Sequence, residues 1–112
     1  MLTFVVIYYT VVALLGLYLF IKFFSKTRAK LVTGIVHGAL GLLGLGILII
    51  YISFQKAETP IESFLLLLMA FFFGAGMFVA TLTEKKFPKI ILFLHVAFAL
   101  SGVYFLYKFW LG

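Results

Sequence analysis

Four apolar runs of about 20 residues, separated by short charged connections, constrain this chain more than any other feature. Each is long enough for an α-helix to cross the roughly 30 Å hydrocarbon core of a bilayer. They cover about 2–24, 31–54, 61–82 and 89–110. Within a bilayer every backbone N–H and C=O must be paired inside the protein, so such runs fold as helices. Pro60 and Pro88 stand at the starts of the third and fourth runs, where a missing N–H costs little. The chain has 112 residues, 66 % of them hydrophobic, which leaves no room for a soluble catalytic unit. The expected architecture is an all-α four-helix transmembrane bundle, one integral membrane domain over residues 1–112. The first run has no basic segment ahead of it and no small-residue cleavage site before Lys22. It therefore reads as a retained helix rather than a signal peptide.

The net charge of +6 does not point to nucleic acid, because the basic residues flank the apolar runs. There they set topology and meet anionic lipid headgroups. Lys22, Lys26, Arg28 and Lys30 surround the first connection, and Lys85, Lys86 and Lys89 the third. Only Lys56 and Lys108 lie at the opposite end. By the positive-inside rule both basic loops face the cytoplasm and both termini face outward, in an inner or cytoplasmic membrane. Tyr104, Tyr107 and Trp110 then approach the outer interface. With no cysteine, disulfides, thiolate metal sites, iron–sulfur clusters and covalent c-type haem attachment are excluded.

Short connections place consecutive helices side by side, in an up-down-up-down order. The second and fourth helices are then diagonal partners running the same way. Each carries one of the chain's two histidines. His37 lies seven residues past Lys30 and His95 six past Lys89, so each sits about 10 Å inside the basic boundary. The two imidazoles are expected to be level. Ionisable groups within spanning segments are costly and usually functional.

The histidines also share a phrase, H-x-A-x-[GA]-L-x-G, at His37–Gly44 and His95–Gly102. An offset of 58 residues aligns the halves without a gap, pairing Gly16 with Gly74, His37 with His95 and Gly44 with Gly102. Identities beyond these are few, and a tandem pair of helical hairpins is the reading they support.

Two imidazoles presented at one level from parallel helices can grip a flat metal cofactor from both faces, and haem b is the expected one. Gly34, Gly41 and Gly44 share the face of His37, with Gly38 at its margin. Ala99 and Gly102 take the corresponding places beside His95. Such small residues would let a porphyrin approach the backbone, and Phe20, Phe72, Phe73, Phe78, Phe93 and Phe98 are candidate walls. Arg28, Lys30, Lys86 and Lys89 are placed to meet the propionates.

In these segments the chain resembles membrane-embedded b-type cytochromes, helical bundles that hold non-covalent haem between transmembrane histidines. The resemblance implies electron transfer with a quinone, superoxide or another membrane redox partner. Many members carry four ligating histidines; this chain has two, which limits it to one haem per chain or to a site shared across a homodimer. If the chain is an enzyme, the resemblance makes it a haem-dependent oxidoreductase.

The main competing reading is a non-catalytic accessory or assembly subunit whose histidines only bond neighbouring helices, with Gly34-x-x-x-Gly38 as a packing motif. A small transporter is disfavoured, because Glu58, Glu62 and Glu84 all lie at loops or helix ends. Zinc would want further ligands, and no nucleophile–base–acid set supports hydrolysis.

Overall fold

Each apolar run is one helix in the computed structural model, which describes residues 1–25 and 30–112. They are α1 (Leu2–Phe23), α2 (Leu31–Phe54), α3 (Ile61–Leu82) and α4 (Lys89–Leu111). Observed ends differ from the expected ones by one residue at the close of α1 and of α4. All four are long and apolar enough to cross a membrane. The molecule is 46 Å long, which exceeds the hydrocarbon core of a bilayer. Large apolar side chains such as Ile7, Leu14, Ile21, Leu43, Phe72 and Leu100 remain more than half exposed. In water that surface would be prohibitive; facing lipid it is what a spanning bundle presents.

Pro60 and Pro88 are the N-caps of α3 and α4. At the other end of α3 the chain stops in a Schellman turn. Lys85 N–H bonds Ala80 O at 2.8 Å and Glu84 N–H bonds Thr81 O at 3.2 Å, with Glu84 in the left-handed region at φ 56°. Two otherwise unpaired helix carbonyls are satisfied in this way.

The helices pack in a closed ring: α1 against α2 and α4, α3 against α2 and α4, with neither diagonal pair in backbone proximity. This is the up-down-up-down bundle with α2 and α4 as diagonal partners. Its core is concentrated in the half nearer the termini, around Val5, Tyr9, Leu45, Leu48, Tyr51, Leu67 and Leu106. Tyr8 Oη donates to Leu40 O at 2.5 Å, the Thr10 and Tyr107 hydroxyls are bonded to each other, and Trp110 Nε1 donates to Thr3 Oγ1 at 3.1 Å. Together these tie α1 to α2 and α4.

The packing repeats with the offset read from the sequence. Leu48 and Leu106 are buried to 0 % and 1 % exposure, and so are Val5 and Ser63. Gly44 is buried against Tyr9, and Gly102 against Leu67, where Tyr9 and Leu67 are themselves 58 positions apart. The α1–α2 hairpin and the α3–α4 hairpin therefore use equivalent positions for equivalent contacts. They are not equally tight. Leu67 lets α3 lie close on α4, and Ser63 Oγ donates to Gly102 O at 2.8 Å. The bulkier Tyr8 and Tyr9 rings against Gly44 hold α1 farther from α2.

A Cβ on Gly102 would fall 2.6 Å from Leu67 Cγ and 3.2 Å from its backbone nitrogen. Gly102→Ala should therefore destabilise the bundle by about 1–3 kcal/mol, the usual cost of overpacking. Gly76 has open space around it, and Gly76→Ala should be neutral or stabilising by up to about 1 kcal/mol through helix propensity. Thermal unfolding of both variants in the same detergent checks the contrast.

Candidate cofactor site: a histidine pair between glycine-backed helices

Both histidines are the seventh residue of their helix, His37 in α2 and His95 in α4. Equal depth from the same end makes them level. Their rings meet across the centre of the bundle, with centroids 6.2 Å apart and planes at 85°. No other side-chain pair links these two helices across the diagonal among the described ring contacts.

Each imidazole lies on a glycine of the preceding helix. A Cβ on Gly74 would be 3.0 Å from His95 Cε1 and 3.2 Å from its Nδ1. The bare backbone lets the ring reach the carbonyl one turn earlier, where His95 Nδ1 bonds Ala70 O at 2.7 Å. A carbonyl only accepts, so Nδ1 carries the proton and Nε2 keeps its lone pair. This is the arrangement by which a backbone carbonyl commonly orients a metal-binding histidine.

The first hairpin repeats the arrangement incompletely. A Cβ on Gly16 would be 2.9 Å from His37 Cε1 and 3.3 Å from Nε2. The Val12 carbonyl, equivalent to that of Ala70, faces the ring. His37 Nδ1 is buried without a hydrogen-bond partner among the described residues. An unpaired buried polar group of this kind costs about 1–3 kcal/mol.

Comparison with protein families, curated proteins and solved structures gives no match. The geometry has to carry the reading of the site.

Two imidazoles sharing one metal at nitrogen–metal distances of about 2 Å place their centroids roughly 6–6.5 Å apart, and the observed separation lies in that range. Among the described residues no group of three or more His, Cys, Asp or Glu is assembled. A metal held here would have to bring its remaining ligands with it. A porphyrin supplies four nitrogens in a plane, and the donor set of this site fits that requirement.

The other expected residues divide into three groups. Gly34, Gly38 and Gly41 have open space where a Cβ would stand; Gly38 is exposed and the other two are half-buried. Gly44 and Gly102 do not line a slot; Tyr9 and Leu67 fill the space above them. Ala99 is half-buried on α4. Lys86 and Lys89, with Phe23, Glu84 and Phe87, border a cavity of about 380 Å³ at the basic end. Lys30 is exposed at the start of α2, and Arg28 and Lys26 lie outside the described residues. Of the candidate walls, Phe73 stacks on Phe98 at 5.6 Å and Phe20 meets Phe93 edge-on at 6.3 Å. Phe72 points outward at 61 % exposure, and Phe78 is also exposed.

Gly16 and Gly74 were not among the residues expected at the site. The 58-residue alignment pairs them, but a single glycine in an apolar helix has ordinary packing explanations, and only the fold places each beneath an imidazole.

Gly74→Ala should displace His95 from Ala70 and release its ring. Nitrogen NMR of ¹⁵N-histidine-labelled protein should show the loss as a shift of the His95 Nδ1 resonance and exchange between tautomers. The His37 resonance should shift less, because Gly16 beneath its ring is unchanged.

Proposed function

We propose that this chain is a b-type haem protein in which His37 and His95 ligate the iron from opposite faces, and that it carries electrons. The observation that supports this most strongly is the meeting of the two rings at 6.2 Å from diagonal helices, with no third His, Cys, Asp or Glu grouped with them among the described residues. When bound, the haem would supply a one-electron iron couple, and two axial imidazoles would leave no open position for oxygen chemistry.

The chain's own residues hold and shield the group. Ala70 O fixes the tautomer and direction of His95, leaving Nε2 toward the metal. Gly16 and Gly74 remove the side chains that would collide with the imidazoles, while Gly34, Gly38 and Gly41 keep the face of α2 low. Lys30, Lys86 and Lys89, with Arg28, are the cations toward which propionates would extend. The apolar helices exclude water from the metal. With the basic loops cytoplasmic, the haem lies in the inner half of a cytoplasmic membrane. Its redox partner is a quinone or another membrane carrier, and the exposed helix faces leave room for a homodimer.

The accessory-subunit reading has one observation in its favour, the His95–Ala70 bond, since a histidine serving only to join α3 and α4 would make it.

Protein expressed with haem precursor and purified in mild detergent should show a Soret band that shifts and sharpens on dithionite reduction. Replacing either His37 or His95 with alanine should convert or abolish that spectrum. Protein that stays colourless under these conditions, or a spectrum indifferent to either replacement, would refute the paired ligation.

A further inference from the structure

A cavity lies at the end away from the histidines, where α2, α3 and α4 meet. It measures about 710 Å³. Its floor includes Tyr51, only 7 % exposed, and Ser63, 1 % exposed. Ser63 Oγ is engaged with Gly102 O. The Tyr51 hydroxyl borders the cavity and makes no hydrogen bond among the described residues. Glu58, Glu62 and Lys108 stand around the rim. All three are exposed, and no ion pair joins them among the described residues. Phe105, 39 % exposed, opens the cavity toward the lipid side.

The internal repeat shows that this chemistry is not needed for packing. Shifting by 58 positions maps Glu62 to Phe4, Ser63 to Val5, Tyr51 to Phe109 and Lys108 to Ile50. Val5 is as fully buried as Ser63, so an apolar residue fills the same place in the other hairpin. At these four positions one corner carries polar or charged side chains and its counterpart apolar ones.

We propose that this corner binds the head group of a zwitterionic phospholipid bearing a primary ammonium. Two carboxylates and one ammonium suit a ligand with both signs of charge. A simple anion would face Glu58 and Glu62, and a simple cation would face Lys108. The lipid ammonium offers three N–H donors to Glu58 and Glu62, which a quaternary ammonium lacks. Its phosphate accepts from Lys108 and from the Tyr51 hydroxyl. The acyl chains leave past Phe105 along the exposed face of α4. This site is independent of haem.

Native mass spectrometry of the detergent-purified chain can test it, titrating phosphatidylethanolamine, phosphatidylcholine and phosphatidylglycerol with identical acyl chains. The ethanolamine lipid should bind one per chain and about tenfold more tightly than the other two. Tyr51→Phe and Lys108→Gln should each weaken it about three- to tenfold, the worth of one hydrogen bond to a charged or polar group. Glu58→Gln with Glu62→Gln should erase the preference over phosphatidylcholine. Circular dichroism confirms that each variant is folded. Equal affinity for the three lipids, or a preference that survives in folded variants, would overturn the assignment.

Discussion

A helix carbonyl already bonded within its own helix can still accept a second donor, but only where no side chain covers it. Gly74 uncovers the carbonyl of Ala70, and the His95 imidazole lies on the exposed backbone. Gly16 uncovers that of Val12 in the same manner for His37. The centre of the bundle depends on this glycine–imidazole contact, because it lets a large polar ring stand inside an apolar layer. Without the glycines the rings would be forced outward or the helices apart, and the two imidazoles would not reach each other.

The two hairpins repeat this device with different success. In the second, His95 has its carbonyl, Ser63 has Gly102 O, and Leu67 sits on Gly102. Among the described residues, the side-chain polar atoms buried without partners, His37 Nδ1 and the Tyr9 hydroxyl, both belong to the first. Tyr8 and Tyr9 stand against Gly44 where Leu67 stands against Gly102.

The depth and pairing of the histidines were legible in the sequence because they follow from quantities a sequence contains: where the charges stop, and a fixed rise per residue. The four helices followed from hydropathy for the same reason. Which neighbour a small residue faces was not legible. Helical rotation groups Gly44 with His37, yet cannot tell the side occupied by Tyr9 from the side left open, and Gly44 and Gly102 proved to be packing surfaces. The polar corner escaped notice because Tyr51, Glu62 and Lys108 come from three spans and share no spacing. Their significance emerges only when each is set against its apolar counterpart.

The asymmetry between the histidines has a consequence for how a planar group would enter. His95 is held by a hydrogen bond, so turning it away loses that bond before anything is gained. His37 Nδ1 has no hydrogen-bond partner among the described residues, and Gly34, Gly38 and Gly41 on the same helix carry no side chains. A flat ligand inserted between the helices would therefore find one fixed imidazole and one able to turn. The less complete hairpin is then the adjustable half of the site, and the tighter hairpin its template.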